Sequence, residues 1–266
     1  MALPSIARIE RRNIAVFILG PFLFAARLLV IIVSLIVAVV LHIIWRLFGR
    51  KSPWPRLFLL SVSWTSGIAT ATTGTRTRRN VFYASNHHSW IDIPVISGVT
   101  GCTFVANDGI ESWPLIGWLC NINHTIFVSR ENRLSVGDQI DELRAAMTGD
   151  QPVTIFPEGT TSDGSGLLPF KASLFAALVP PPLGMMVQPV FLTYGRHTSR
   201  IAWVGDEKVT ENFWRLLSYW KPITATLNFL EPFDPALYPD RKAISAEVRS
   251  RIGLAMEGGG HRARAV

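Results

Sequence analysis

Residues 81–92 carry the sequence VFYASNHHSWID, in which a short apolar run passes directly into a polar segment. Apolar runs of about four to eight residues with polar boundaries are typical of buried strands. In α/β proteins, functional side chains collect where such strands end. The stretch therefore predicts a strand at Val81–Ser85 that leads into a candidate site.

Two histidines and a carboxylate follow this strand, at His87, His88 and Asp92. A carboxylate beside a histidine fixes the imidazole tautomer and stabilises its charged form, which suits a general base with an orienting acid. On a continuous helix Asp92 faces His88 rather than His87. His87 reaches Asp92 only if it lies in a turn before the helix. The competing interpretation is a structural histidine with a carboxylate at a helix N-terminus.

Outward from this stretch, short apolar runs alternate with helical segments. The further predicted strands are residues 103–106, 125–129, 153–156, 186–193, 201–204 and 224–230. The predicted helices are residues 134–147, 171–179, 211–219 and 242–256. This alternation predicts an α/β fold with a mixed, largely parallel sheet flanked by helices.

Two other strand ends carry candidate binding residues. Residues 156–162 read FPEGTTS, where glycine permits close approach of a ligand and the hydroxyl and N–H groups suit a phosphate or glycerol headgroup. Lys171 follows and adds a cation, and Arg130 follows the strand at 125–129. Arginine binds phosphate in a bidentate manner. Taken singly, these features also fit an ordinary turn and surface cations.

The apolar residues are concentrated near the N-terminus. Residues 28–45 contain no charge, and as a helix they span roughly 27 Å, close to the roughly 30 Å hydrocarbon core of a bilayer. The run is too long for a cleaved signal peptide. One transmembrane helix fits, as does a monotopic hairpin bent at Gly20-Pro21 or Arg27; basic residues on both sides favour the hairpin. A buried helix of a soluble fold is the remaining interpretation.

The composition favours a partner with a negatively charged surface. Of the 266 residues, 48% are hydrophobic and 17% are charged, and the formal net charge is +7. The high hydrophobic fraction excludes a disordered chain. Basic residues beside the apolar run, together with Arg76, Arg78 and Arg79 before the strand at Val81–Ser85, predict attraction to anionic lipid headgroups rather than nucleic acid. The predicted parts are a membrane anchor at 1–51, a domain at 52–257 and a flexible basic tail at 258–266.

Taken in order, these segments resemble the glycerophospholipid acyltransferase family, the 1-acylglycerol-3-phosphate acyltransferases of the PlsC type. The resemblance covers residues 82–190, and four blocks match with fitting spacing. The matching residues are Asn86-His87 with Asp92, the strand ending in Arg130, FPEGT and Ser162 with the downstream Pro169-Phe170-Lys171, and Val187-Gln188-Pro189-Val190.

The resemblance implies acyl transfer from acyl-CoA or acyl-carrier protein to 1-acylglycerol-3-phosphate (lysophosphatidic acid), giving phosphatidic acid. It implies His87 as the base and Asp92 as its orienting acid. The implied substrate contacts are Arg130, Glu158, Gly159, Thr160 and Lys171. It implies no cofactor and no metal. The implied location is the inner membrane, with the domain facing the cytoplasm.

One departure and two other classes keep alternatives open. Many members carry a lysine where this chain has Asn107, so another acceptor such as a lyso-ornithine lipid remains an alternative. A metal-dependent hydrolase is a rival of a different class, with candidate ligands His87, His88, Asp92, His124 and His197. A non-catalytic membrane-binding protein on the same fold is the other rival.

Overall fold

The computed structural model describes residues 6–112, 114–128, 136–149 and 151–263, and side chains within these ranges except at 6–18, 107, 110, 114–116, 136, 138–139 and 259–263. Its α-helices are α1 Ile6–Leu47, α2 Trp54–Thr65, α3 Asp92–Thr100, α4 Pro114–Ile122, α5 Val136–Met147, α6 Thr198–Ile201, α7 Val209–Leu217 and α8 Arg241–Ala263. Its strands are β1 Ile68–Thr73, β2 Val81–Ser85, β3 Thr103–Asn107, β4 Ile126–Val128, β5 Val153–Ile155, β6 Met186–Thr193 and β7 Ile223–Phe229.

The strands form one seven-stranded sheet in the order β1-β7-β6-β2-β5-β3-β4. Strands β6, β2, β5, β3 and β4 are parallel, whereas β7 is antiparallel to β6 and β1 is parallel to β7. The predicted mixed, largely parallel sheet is confirmed. Because β2 lies in the middle of this order, the segment that follows it opens at the carboxyl end of the parallel strands.

Helices cover both faces of the sheet, which explains why β2 is buried along its whole length. One face packs against α2, α3 and α7 through residues such as Val62, Ile96 and Leu216. The other face packs against α5, α8 and the 3-10 helix Ala172–Leu178, through residues such as Val248. Because helices fill both faces, the open position for a substrate is at the ends of the strands.

Helix α1 passes Gly20-Pro21 and Arg27 without reversing, so the hairpin bend expected at those positions is wrong. The chain reverses between Leu47 and Trp54, and α2 returns along α1. The Ser61 hydroxyl lies 3.3 Å from the Ser34 hydroxyl, and the α1 segment Leu19–Leu47 is long and apolar enough to cross a membrane, with 6% of its most apolar window buried. A helical hairpin is therefore present, but α1 forms it with α2.

Other elements also differ from the expectations. The strand expected at 201–204 is instead the end of α6 and a loop. Ile201 and Ala202 are buried at this helix end, and their apolar character reflects that burial rather than a strand. The segment expected as a helix at 171–179 is a 3-10 helix at Ala172–Leu178. The expected loose tail is helical through Ala263, where α8 ends.

Candidate active site

The turn between β2 and α3 brings the His87 ring to Asp92. His87 Nδ1 lies 2.8 Å from Asp92 Oδ2, and α3 begins at Asp92 itself. His87 therefore occupies the turn before the helix, as its pairing with Asp92 required. The His88 ring points elsewhere, with Nε2 at 2.9 Å from Asn86 Nδ2 and 3.2 Å from the Leu192 carbonyl oxygen.

Asp92 is a fully buried carboxylate that accepts several hydrogen bonds. Besides the His87 ring, the backbone N–H groups of His88 and Ser89 donate to Oδ2 at 2.5 and 2.9 Å, and the Tyr194 hydroxyl donates to Oδ1 at 2.5 Å. Burial by itself raises the pKa of Asp92, but the bond to His87, the charges of His87 and His88, and the Tyr194 hydroxyl together hold that pKa below its ordinary value. The carboxylate is therefore charged at neutral pH.

The His87 ring is held on two sides, which leaves Nε2 as its outward nitrogen. The ring stacks on Phe156 with centroids 3.8 Å apart and an interplanar angle of 12°, and Phe156 stacks in turn on Phe104. The His87 side chain is 16% exposed. With the Nδ1 proton donated to Asp92, Nε2 carries the lone pair and is the basic atom.

The loop at 156–162 holds the backbone of His87. Glu158 Oε1 accepts from the His87 N–H at 3.0 Å. The Ser162 N–H and hydroxyl donate to the His87 carbonyl oxygen at 2.8 and 3.1 Å. Both backbone groups of His87 are thus fixed by a segment about 70 residues further along the chain.

Glu158 is buried, and its second carboxylate oxygen accepts from the Leu168 N–H at 3.0 Å. Burial raises the pKa of Glu158, opposed by the bonds from the Leu168 and His87 amides. Both oxygens therefore bond to the protein backbone. Glu158 was expected to contact the substrate, whereas its bonds to the His87 and Leu168 amides make it a positioning residue for His87.

The solvent-facing part of the same loop carries Gly159 and Thr160, and Lys171, from further along the chain, lies over Gly159. Gly159 has a φ of +67°, and a Cβ placed there would lie 2.6 Å from Lys171 Nζ. Only glycine suits this backbone conformation with a lysine side chain directly above it. Thr160 and Lys171 are exposed. Arg130 and the side chain of Asn107 lie outside the described residues.

Tyr194 is a site residue that sequence reasoning missed. It follows β6, which pairs with β2 in parallel register, so the two strands end at the same edge. Asn86 joins these ends, donating to the Leu192 carbonyl oxygen at 2.9 Å and accepting from the Leu192 N–H at 2.8 Å. The available signal was a tyrosine directly after a long apolar strand.

The basic cluster before β2 lies at the other end of the sheet from His87. Since β2 runs from Val81 to Ser85, roughly 16 Å of strand separates the two ends. Arg76 donates to the Val99 carbonyl oxygen, and Arg56 donates to the carbonyl oxygens of Gly98 and Val99. These arginines cap the C-terminus of α3, where backbone carbonyls lack helical partners.

The described residues contain no group of three or more His, Cys, Asp or Glu side chains placed to share a metal ion. His87, His88 and Asp92 are close neighbours, but their contacts are the hydrogen bonds given above. The candidate ligands His124 and His197 do not join them in this part of the chain.

A family model described as Acyltransferase matches residues 69–193. A lyso-ornithine lipid O-acyltransferase of Rhizobium meliloti (strain 1021) is 35% identical over 189 residues, which are 66% of this chain and 64% of that protein. A 1-acyl-sn-glycerol-3-phosphate acyltransferase of Neisseria gonorrhoeae is 34% identical over 176 residues, 65% of this chain and 68% of that protein. The chain thus spans slightly less than two thirds of the length of the first relative.

Among solved structures, the chain is similar to the 1-acyl-sn-glycerophosphate (LPA) acyltransferase PlsC from Thermotoga maritima. The TM-score is 0.60 at 21% sequence identity, and the match covers 88% of this chain and 96% of that one. At this identity the likeness concerns the fold, and it extends beyond the residues matched by the family model.

Proposed function

The chain belongs to the PlsC-type acyltransferase family of lysolipid-modifying enzymes, and from that premise we propose that it acylates the free hydroxyl of 1-acylglycerol-3-phosphate, giving phosphatidic acid. The proposed donor is a thioester, acyl-CoA or acyl-carrier protein. The observation that carries this proposal is the His87–Asp92 pair, whose outward nitrogen Nε2 is a base next to an exposed polar loop.

The proposed chemistry is one direct transfer. The acceptor hydroxyl donates its proton to His87 Nε2 while its oxygen forms a bond to the thioester carbonyl carbon. The resulting tetrahedral intermediate expels the thiolate by breaking the C–S bond, and the thiolate receives the proton from His87. Asp92 stabilises the imidazolium between these steps, and base catalysis of this kind contributes roughly 10²–10⁴-fold.

A covalent acyl-enzyme is not needed for this scheme. Among the described residues, no serine hydroxyl or cysteine thiol is hydrogen-bonded to the His87 ring. Cys102 is buried, and burial raises the pKa of its thiol to about 11, which opposes the thiolate form that a nucleophile requires. The free Nε2 therefore favours the substrate hydroxyl as the attacking group.

We assign the phosphate end of the acceptor to the solvent-facing loop. Lys171 lies over Gly159, and Thr160 is exposed beside it, so the loop offers a cation and a hydroxyl next to His87. Arg130 is the further cation that the family resemblance supplies. No cofactor and no metal enter this scheme.

The helical hairpin supports a monotopic membrane position. The outward surface of α1 is apolar, with exposed side chains that include Leu29, Ile32, Val33, Ile36 and Val40. The opposite surface of α1 contacts the domain between Arg27 and Trp45. Arg27 donates to the Leu217 and Tyr219 carbonyl oxygens, and the Trp45 ring centroid lies 6.4 Å from that of Trp54. A helix held along this length cannot cross a bilayer without the domain, so we propose that α1 lies along the surface.

Because both donors are cytoplasmic thioesters, we place that surface at the cytoplasmic face of the inner membrane. An acceptor and product that are lipids require a site at the bilayer surface. An apolar helix attached to the domain that carries His87 meets that requirement. The predicted partners are therefore a lysolipid, a thioester carrier and an anionic membrane surface.

A second acceptor is favoured by a specific observation. This chain has Asn107 where the family resemblance implies a lysine, and the relative from Rhizobium meliloti is named for a lyso-ornithine lipid. An ornithine headgroup has an ammonium and a carboxylate in place of a phosphate. A site with one fewer cation suits that headgroup better than it suits a phosphate monoester.

The deciding experiment incubates the purified full-length protein with acyl-CoA, and separately with acyl-carrier protein, in the presence of 1-acylglycerol-3-phosphate or lyso-ornithine lipid. Products are identified by mass spectrometry. Phosphatidic acid as the main product supports the proposal, and ornithine lipid as the main product replaces it with the second acceptor. Release of free fatty acid without an acylated lipid, suppressed by a chelator, would instead indicate the metal-dependent hydrolase. His87→Ala serves as the inactive control.

A further inference from the structure

A polar cavity of about 350 Å³ lies at the carboxyl end of β6, one strand away from the end of β2 that leads to His87. Its walls come from residues 193–197 and from Pro222, Thr224 and Thr226. One wall residue, Tyr194, donates its hydroxyl proton to Asp92. Tyr194 therefore links the wall of the cavity to the His87–Asp92 pair by a hydrogen bond. The mechanism proposed above does not use the cavity.

The surroundings of this cavity are positively charged. Arg196 and His197 line it, and none of the lining residues carries a carboxylate. Desolvation, followed by the positive charges of Arg196, Arg200 and Lys221, lowers the pKa of His197. In the described part of the chain, none of these three cations forms an ion pair with an acidic side chain. The cluster therefore attracts a negatively charged ligand.

Hydroxyl groups complete the cavity wall. Thr193 and Thr226 are paired across the antiparallel β6–β7 ladder, so their side chains share one face. The Thr193 hydroxyl oxygen accepts from the Gly195 N–H at 3.1 Å, which leaves its own proton for a ligand. Several hydroxyl donors beside an arginine suit the oxygens of a phosphate, with which arginine forms strong, directional bonds.

The rim of the cavity is attached to the apolar helix α1. Arg27 donates to the carbonyl oxygens of Leu217 and Tyr219 at 3.1 and 2.8 Å, a few residues before the wall at Pro222. Trp214 packs on Phe24 of α1, with ring centroids 4.8 Å apart. The rim thus lies where the apolar helix meets the charged surface of the domain.

Two exposed indoles mark the same border. Trp214 is 45% exposed and Trp220 is 55% exposed, and the Lys221 ammonium lies 5.4 Å from the Trp220 ring centroid. Tryptophan is preferred at the level of lipid headgroups, since its ring is apolar and its N–H is polar. Cations beside such rings match the depth of the headgroup phosphates.

We propose that this cavity is a second phosphate site, which binds the phosphate of a membrane lipid headgroup and so holds the carboxyl end of the sheet, with His87, against the bilayer. The proposal rests on the membrane position proposed above and does not depend on which lysolipid is the acceptor. The phosphates of coenzyme A offer the same chemistry, so the experiment separates these two sources.

The first measurement is a ligand titration of the full-length protein in a neutral, phosphate-free detergent. The probes are short-chain phosphatidylglycerol, coenzyme A and inorganic phosphate, followed through the ring signals of labelled His197, assigned with His197→Gln. We expect short-chain phosphatidylglycerol to shift the His197 signal at lower concentration than inorganic phosphate. A shift with coenzyme A but not with the lipid would overturn the lipid assignment, and no shift with any probe would overturn the phosphate site.

The second measurement compares two double variants that each lose two positive charges. Arg196→Gln/Lys221→Gln changes the cavity, and Arg78→Gln/Arg79→Gln changes exposed arginines at the other end of the sheet. We expect the cavity variant to lose roughly tenfold or more of the preference for vesicles containing phosphatidylglycerol over neutral vesicles. The matched variant should lose no more than about threefold. An equal loss in both variants would mean that net charge alone acts, and would contradict the proposal.

Acyl transfer by the wild-type protein, measured in the same detergent, keeps the two proposals separate. Transfer without a His197 shift removes the phosphate site and leaves the proposed function intact. A His197 shift without transfer to any lysolipid removes the proposed function and leaves the phosphate site.

Discussion

The two ends of the central sheet both carry polar side chains that form hydrogen bonds, but these side chains have different targets. At the carboxyl end, Asp92, Glu158 and Tyr194 all act on His87, directly or through Asp92, and one ring nitrogen of His87 faces outward. At the amino end, Arg56 and Gln188 bond to backbone groups. The amino end therefore stabilises the fold, whereas the carboxyl end orients a reactive group. Paired substitutions at the two ends test this distinction.

The largest kinetic effect is expected for Asp92→Asn. The asparagine cannot stabilise an imidazolium, so kcat should fall roughly 10²–10⁴-fold. The matched change is Arg56→Gln at the amino end, which removes donors to the Gly98 and Val99 carbonyl oxygens. It should leave kcat within about twofold while lowering the melting temperature. Steady-state kinetics in detergent decide the matter, and near-normal turnover by Asp92→Asn would overturn the role of the carboxylate.

A smaller but still large effect is expected for Glu158→Gln. The NH2 group of the glutamine then faces a backbone N–H, and two donors cannot bond to each other. The contact to His87 or to Leu168 is therefore lost. We expect kcat to fall about 10–100-fold and the free energy of unfolding to fall by about 1–3 kcal/mol.

Gln188→Met is the control at the amino end for this change. Gln188 donates to the Thr75 and Leu230 carbonyl oxygens at 2.8 Å each and accepts from the Thr77 N–H at 2.9 Å. Its loss should lower the free energy of unfolding by a comparable amount and leave kcat within about threefold. Denaturant titrations and kinetics on the same preparations test both variants. Equal kcat losses would show that His87 responds to general loosening of the fold.

Two buried tyrosines give the next comparison. The Tyr194 hydroxyl donates to Asp92 and the Tyr83 hydroxyl donates to the Thr77 carbonyl oxygen, and burial raises the pKa of both, so both are donors at neutral pH. Tyr194→Phe should lower kcat about three- to tenfold, because Asp92 keeps its bonds from His87 and two backbone amides. Tyr83→Phe should leave kcat unchanged. A kcat loss in Tyr83→Phe as large as that in Tyr194→Phe would contradict the division between the ends.

The fold was predictable where the sequence pattern is local. β2 and β6 were predicted with the bounds that the structure shows, because each is an apolar run with polar boundaries. Strand β1 was missed because its sequence IATATT alternates small and polar residues and is mostly exposed at a sheet edge. Helix α3 was missed because burial on most of its sides removes the amphipathic period.

The site was predictable only in part, for a similar reason. The contact between His87 and Asp92 spans five positions and followed from local geometry. Tyr194 lies 102 positions from Asp92, and only the parallel pairing of β6 with β2 brings them together. Conversely, Arg79 lies two positions before β2 but at the amino end of the sheet. Closeness to β2 along the chain therefore does not place a residue beside His87, since the strand itself separates the two ends.

The smallest expected effect concerns stability in acid. The pKa of Asp92 in the folded protein lies below its ordinary value of 3.8, so its stabilisation is fully present above that ordinary value and is lost as the pH falls through the folded value. Between about pH 5 and pH 3 the melting temperature of the wild-type protein should therefore fall more steeply than that of Asp92→Asn. Gln188→Met has lost no titrating group and should keep the wild-type slope at a lower melting temperature. Parallel curves for the wild type and Asp92→Asn would contradict the lowered pKa.

Glu158 gives the opposite sign and makes the test specific. Its pKa lies above the ordinary value of 4.5, so its contribution is present below that value and is lost as the pH rises through the folded value. Thermal unfolding of Glu158→Gln from about pH 4 to pH 7 should therefore show a smaller loss of stability with rising pH than the wild-type protein shows. Asp92→Asn and Glu158→Gln each remove one negative charge, so net charge alone would change the pH slopes of both variants in the same direction. Slope changes of opposite sign would therefore come from the local surroundings of each carboxylate.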